Sequence, residues 1–196
     1  MTLSIVIAGV GGQGTLLASK ILGTIAQQMG LDVKVSEVHG MAQRGGSVVT
    51  YVRMSNTVCS PLIEAGGADF LLAFEQLEAL RYVHLVKPQG HVVVNTQEIP
   101  PMPVASGAMK YPSKILEKLQ NYQVAVHEMD ALEAAMALGN ARVVNTVLLG
   151  FMAHWMEFPP EAWLKALELC VPAKTLAMNN EAFTYGYEKA KGGAQQ

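Results

Sequence analysis

The sequence predicts an α/β protein: a three-layer α/β/α sandwich around a mostly parallel, mixed sheet, opened by a Rossmann-like β-α-β unit. Three observations carry that prediction. Short runs rich in β-branched residues alternate with stretches of helical periodicity along the chain. The first apolar run, Leu3-Ser-Ile-Val-Ile-Ala8, leads directly into Gly9-Val-Gly-Gly-Gln-Gly14, a G-x-G-x-x-G turn placed between a strand and a helix. Apolar residues make up 51% of the 196 and charged residues only 15%, enough for one substantial core without a disulfide or a metal. No linker or repeat divides the chain, so 1–196 reads as one domain with a frayed tail from about residue 191.

Residues 3–8 have strand length and composition, and 15–29 place Leu16, Leu17, Ile21, Leu22 and Ile25 at helical spacing. Residues 32–38 supply the next strand, closing a β-α-β unit whose crossover is expected to be right-handed and whose strands are expected to be parallel. The polar loop 39–46, His-Gly-Met-Ala-Gln-Arg-Gly-Gly, then falls at the carboxyl end of that strand, the edge at which open α/β sheets bind ligands. Residues 47–54 form a further strand, a candidate antiparallel member because no helix separates it from its predecessor. Ser60-Pro61 marks a break before a short helical turn ending at Gly66-Gly67. Strand, helix and strand follow at 68–74, 75–85 and 90–95. Pro100, Pro101 and Pro103 forbid helix in 97–111, which reads as a surface excursion of extended backbone, a lid or a contact surface. Helix 113–119, strand 123–128 and helices 131–138 and 142–156 come next, and the chain ends in helix after Pro159-Pro160 and Pro172.

Composition also excludes functions. A net charge of −2 without a long basic run argues against a nucleic-acid partner, since neutralising phosphates needs clustered Lys and Arg. Cys59 and Cys170 are isolated, so neither a disulfide framework nor a cluster-binding set is present, which suits a reducing cytoplasm. The N-terminus lacks the basic region of a signal peptide, and the most apolar later stretch, 143–156, is interrupted by Asn145 and His154 and is too short to span a bilayer. A soluble cytoplasmic protein with no membrane partner is the expectation. The five histidines show no zinc-binding spacing. Of eleven methionines, Met102, Met109, Met136, Met152, Met156 and Met178 crowd into the C-terminal half; most read as core, with the Pro/Met excursion as contact surface.

The glycine turn is the first candidate site. Gly9, Gly11, Gly12 and Gly14 permit close approach of backbone N–H groups to an anion, and Gln13 and Thr15 add side-chain donors beside a helix N-terminus that favours phosphate. Arg44, carried by the flexible Gly45-Gly46 pair, offers a bidentate guanidinium expected at the same sheet edge. Glu37 lies about twenty residues beyond the loop, where a dinucleotide enzyme places its ribose-binding acid. A free-standing NAD(P)- or nucleotide-binding protein therefore stands as the alternative reading. His39 is either a loop residue bonding backbone or an acid/base, and Asn145 either caps a neighbouring loop or faces the ligand.

Taken together, Gly9 to Gly14, the helix near Ile21-Leu-Gly23, the segment from Glu37 through Val-His-Gly-Met-Ala-Gln-Arg-Gly-Gly46, and Arg53 resemble the gamma subunit or domain of the 2-oxoacid:ferredoxin oxidoreductases. Ser60-Pro-Leu-Ile63, Ala68-Asp69, residues 75–81 and 145–150 extend the likeness over nearly the whole chain. The form of the 38–46 segment looks most like the beta subunit of indolepyruvate ferredoxin oxidoreductase. The resemblance implies a complex that oxidatively decarboxylates a 2-oxoacid to an acyl-coenzyme A. Its large partner subunit would hold thiamine diphosphate, magnesium and iron–sulfur clusters, with ferredoxin as electron acceptor. This chain, inactive alone, would help bind coenzyme A as co-substrate through Gly9, Gly11, Gly12, Gln13, Gly14, Thr15, Arg44, Gly45 and Gly46, and would close the partner's active site. Glu37 is carried over as a motif position only. An isolated chain could form a homodimer through the apolar surface meant for the large subunit.

Overall fold

The structure is a computed structural model that describes residues 2–40 and 45–193. Strand β1 (Leu3–Val10) buries both faces, Ile5 and Ile7 on one side and Val6 and Ala8 on the other, and so belongs in the middle of a sheet. Around it lie β2 (Asp32–His39), β3 (Ser47–Ser55), β4 (Ala68–Ala73), β5 (Val86–Asn95) and β6 (Ala125–Met129) in the order β2-β3-β1-β4-β5-β6. From β1 to β6 the pairings are parallel; β3 is antiparallel to both of its neighbours.

One face carries α1 (Thr15–Gln28), α5 (Ala131–Ala137), α6 (Val144–Ala153), α7 (Pro160–Cys170) and α8 (Ala173–Gly193). Their apolar faces join Ile5, Ile7, Val52, Phe70, Leu72 and Val93 in one large core. The other face carries α2 (Gln76–Tyr82) and α4 (Ile115–Leu119) over a smaller core of Val6, Ala8, Leu71, Val92 and Val94. The three-layer sandwich with a mixed sheet is therefore the fold that forms. Helices α6 and α8 touch through Gly150 and Gly186: a Cβ on Gly150 would run into the Phe183 carbonyl, and one on Gly186 into the Val147 carbonyl. The missing side chains let the two backbones approach to contact.

Several local expectations are corrected. Strands β1 and β2 do point the same way, but β3 lies between them, so the first β-α-β unit is not a pair of adjacent strands. The hairpin-length link between β2 and β3 lets β3 take the neighbouring place, which a crossover helix would otherwise leave to β2. Residues 60–67 contain no helical turn; Arg53 Nη1 donates to the carbonyls of Ser60 (3.3 Å) and Leu62 (3.1 Å) and holds the segment extended up to a turn at residues 65–66. The prolines of 97–111 do not exclude helix: α3 (Met102–Ala105) begins there, with Pro103 in its first turn, where the absent N–H has no intrahelical partner to lose. Strand β5 starts earlier than expected, because the helical stretch stops at Tyr82 and leaves only a single 3₁₀ turn, Val83–Leu85, before it. Helix α8 runs on to Gly193 across the start of the predicted frayed tail. Of the methionines named above, Met152 and Met156 are core, whereas Met102, Met109 and Met136 are exposed.

Candidate functional site

The β1–β3 ladder brings the two glycine loops together. It pairs Gly9 with Val48 and Val10 with Ser47, and beyond it Gly11 N–H donates to the Gly46 carbonyl at 2.9 Å. The Gly45 N–H points back at the Gly11 carbonyl, 3.5 Å away. The shared sheet edge expected of Gly9–Gly14 and the second glycine pair is thus observed, and Gly45, at φ +77°, makes the turn into β3. Arg44 lies outside the described residues.

Within the first loop, Gln13 folds back on its own backbone. Its Oε1 accepts the Val10 N–H at 2.7 Å, and its Nε2 donates to the Phe74 carbonyl at 3.0 Å. Gln13 therefore shapes the loop, and its carbonyl oxygen is already engaged. Gly14 caps α1 at φ +87°, and its missing side chain makes room for Asn145, whose Nδ2 sits where a Cβ would be. Among the described residues, no acceptor meets the N–H groups of Gly12, Gly14, Thr15 and Leu16. Four open amides at the start of a 14-residue helix form a positive, donor-rich corner.

That corner opens into a cavity of about 330 Å³ lined by Gly12, Gln13 and Gly14, by Gln97 and Ile99 from the segment after β5, by Arg142 in the 3₁₀ turn before α6, and by Asn145 in the first turn of α6. Asn145 Oδ1 accepts the Thr146 N–H at 2.9 Å, which leaves its amide nitrogen turned toward Gly14. Of its two sequence roles, the one facing the pocket is the one the geometry favours. Arg142 escaped the sequence reading. Its guanidinium is exposed and has no carboxylate partner among the described residues, so two of the open-amide residues, Gly12 and Gly14, share one cavity with an unpaired cation. Its one sequence signal is the pair Gly139-Asn140, where the Asn140 side chain caps the turn that carries Arg142.

Other predicted residues lie elsewhere. Glu37 is on β2, opposite Thr50, whose hydroxyl donates to it at 3.2 Å, and β3 separates it from β1. Two strand spacings, roughly 10 Å, stand where a Rossmann enzyme has one. His39 ends β2 level with Gly9, is exposed, and keeps its Nδ1 at 3.1 Å from the Gly40 carbonyl. Thr15 opens α1 and is nearly buried. The Gly46 end of the second loop is anchored instead by Ser47, whose hydroxyl donates to buried Glu78 on α2; burial pushes the Glu78 carboxyl above its ordinary range despite Ser47 and Arg81.

The opposite sheet edge has a different character. There a cavity of about 480 Å³ is walled by Phe70, His91, Trp155 and Phe158, with Lys87 already paired to Asp69. Behind it His127 stacks on Trp155 at 3.7 Å and meets His91 through ring nitrogens 3.0 Å apart. Burial, reinforced by the neighbouring imidazoles, lowers His127 to about 4, so the ring is neutral at pH 7.

The comparisons with known proteins show a subunit of the 2-oxoacid:ferredoxin oxidoreductase class. Residues 4–189 match the pyruvate ferredoxin/flavodoxin oxidoreductase family, and the chain belongs to that family. It is similar to indolepyruvate oxidoreductase subunit IorB of Thermococcus kodakarensis, 40% identical over 195 residues and 96% of each chain. The crystal structure of a keto/oxoacid ferredoxin oxidoreductase gamma subunit from Geobacter sulfurreducens superposes with a TM-score of 0.73 at 26% identity, covering 97% of this chain and 99% of that one. A 2-oxoglutarate:ferredoxin oxidoreductase from Magnetococcus marinus, solved with 2-oxoglutarate, coenzyme A and succinyl-CoA bound, shares the fold at TM-score 0.73 and 22% identity. The match covers 97% of this chain and 31% of that longer one. Among the described residues no helix is long and apolar enough to cross a membrane.

Proposed function

We propose that this chain is the small subunit of a cytoplasmic complex that converts an aryl 2-oxoacid, with indolepyruvate the first candidate, to its acyl-coenzyme A. Its own part is to hold the phosphates of coenzyme A while a large subunit completes the active site. The observation that carries the reading is the joined pair of glycine loops, with the open-amide residues Gly12 and Gly14 lining one cavity together with Arg142. A diphosphate is the group that such a corner suits: fixed N–H donors in the helix dipole and a guanidinium able to bind two oxygens. The cavity is too small for the whole coenzyme, so the thiol end must extend beyond it toward the large subunit. Support for coenzyme A as the anion comes from the Magnetococcus enzyme, which was solved with that molecule bound; support for indolepyruvate comes from the 40% identity to IorB.

In this reading the decarboxylation and electron transfer belong to thiamine diphosphate, magnesium and iron–sulfur clusters of the partner, with ferredoxin accepting the electrons. This chain does not fit a cluster: Cys59 is exposed, Cys170 is half-buried beside Thr24, and no group of three His, Cys, Asp or Glu among the described residues could hold a metal ion. The NAD-binding alternative loses its main support, because Glu37 stands a strand too far from the glycine loop.

The test is reconstitution with the large subunit, followed by coenzyme A-dependent reduction of a viologen dye by indolepyruvate and other 2-oxoacids. Arg142→Ala is expected to raise the KM for coenzyme A about tenfold, the loss of a charged hydrogen-bonding pair, and to leave the KM for the 2-oxoacid unchanged. Arg44→Ala is expected to act in the same direction. Coenzyme A kinetics identical to wild type in both variants would sink the assignment, and a rise in Tm of the lone chain with NAD would revive the alternative.

A further inference from the structure

Residues 99–111 leave the sheet after β5 and are largely exposed from 100 to 110, with Met102 and Met109 facing solvent. Both ends of this excursion fasten to one oxygen. Glu75, the N-cap of α2, accepts the Ile99 N–H on Oε1 at 3.0 Å and the Tyr111 hydroxyl on the same Oε1, while its Oε2 accepts the Glu78 N–H at 3.0 Å. The carboxylate is almost wholly buried. Burial and the adjacent carboxylate push the Tyr111 phenol well above its ordinary range, so it is a permanent donor. The next residue continues the pattern: Gln76 N–H donates to the Gln97 carbonyl at 3.2 Å, and its side-chain amide donates to the Thr96 carbonyl at 2.5 Å. Gln97 and Ile99 both line the cavity over the glycine loop.

A buried carboxylate is a costly fastening. An apolar contact would hold a surface loop at lower desolvation cost, and Glu75 also stands one helical turn from a second buried carboxylate, Glu78, whose charge it opposes. What the carboxylate adds is direction: a fixed acceptor sets the position of the Ile99 N–H, and with it the cavity wall, to within a hydrogen bond. A closed loop whose ends meet at one point is a form in which surface loops commonly serve a site.

We propose that Glu75 is a positioning residue for the anion pocket. With Tyr111 it clamps the 99–111 loop shut, so that Gln97 and Ile99 stay in register with the open amides of Gly12 and Gly14. The role rests on the coenzyme A reading above, and the test separates the two.

Tyr111→Phe keeps the ring and removes only the hydroxyl, so it preserves the fold where Glu75→Ala risks α2. In the full chain, hydrogen exchange of the Ile99 amide is expected to quicken about tenfold in Tyr111→Phe, with α6 and α8 unchanged. In the reconstituted complex the same variant is expected to raise the KM for coenzyme A about three- to tenfold, with kcat and the KM for the 2-oxoacid near wild type. Unchanged exchange at Ile99 overturns the clamp. Faster exchange with a flat coenzyme A KM overturns the positioning role if Arg142→Ala does raise that KM. If Arg142→Ala is flat as well, the clamp stands and the coenzyme A reading falls.

Discussion

On the α1 side of the sheet a continuous apolar cluster runs from Ile5 and Ile7 out to Trp163 and Phe183, whereas the α2 side packs a smaller cluster and buries Glu75 and Glu78 beside it. The first side contains the Gly150–Gly186 helix contact, where two backbones meet with nothing between them. The second contains hydrogen bonds that lead to loops at one sheet edge: Glu75 to Ile99 and Tyr111, Gln76 to Thr96, and Glu78 to Ser47. Burying apolar area stabilises without direction, while buried polar groups stabilise little and direct much. The difference teaches that the large-core face supplies most of the stability, while the α2 side fixes the loops that complete a pocket whose amides, Arg142 and Asn145 come from the α1 side.

That division can be broken most severely at Gly186. Gly186→Val forces α6 and α8 apart and is expected to cost about 3 kcal/mol or more, a fall in Tm of roughly 10 °C in a thermal melt. A Tm within about 2 °C of wild type would mean that the helix contact is not close-packed. Glu75→Ala should come next, at about 2 kcal/mol, because it removes a helix cap and leaves the Ile99 N–H and the Tyr111 hydroxyl without their acceptor. Glu75→Gln, which keeps an acceptor, should recover part of that loss; no recovery would assign the effect to charge alone.

A smaller, pH-dependent effect sharpens the comparison from the α1 side, where half-buried His127 stacks on Trp155. Its folded pKa is depressed to about 4, below the unfolded value of 6.5, so the unfolded chain binds more protons between those limits. The stability that neutral His127 contributes is complete above about pH 6.5 and is lost as pH falls toward 4. Because the ring is only half-buried, water screens the effect, and a decline in Tm of a few degrees is expected, flattened in His127→Phe. An equally steep decline in that variant would place the titration elsewhere. Smallest of all should be the effect of Arg142→Ala on stability, with a Tm within about 1 °C of wild type, since an exposed unpaired side chain contributes little to the fold. A large drop would make Arg142 a structural residue.

Local signals made much of this legible. The β-branched runs of β1 and β5 and the periodicity of α1 appear in the sequence because each element satisfies its own burial pattern. The short link before Ser47 announced an antiparallel β3, yet not its place between β1 and β2, since strand order depends on pairings between distant segments. Gln13 carries the chemistry of an anion ligand in sequence, and only the fold shows that its amide is turned onto Val10 and Phe74. Arg142 lies far along the chain from Gly14 and enters the pocket because α6 packs against the start of α1 through Asn145. Glu75 did leave a trace: an acidic residue one place before an apolar-periodic helix is a cap signal, but nothing local tells that the same carboxylate also receives Ile99 and Tyr111.

The hydrogen bond from Gly11 to Gly46 continues the β1–β3 ladder past its last paired residues. A slip of β3 by one residue would therefore move the second glycine loop by about 3.4 Å relative to the first and, in the same step, turn Val52 and Met54 out of the core. Misassembly of the pocket and failure of the core are thus one error. A molecule that passes the cell's surveillance for exposed apolar surface has, by that fact, already brought its two loops into alignment.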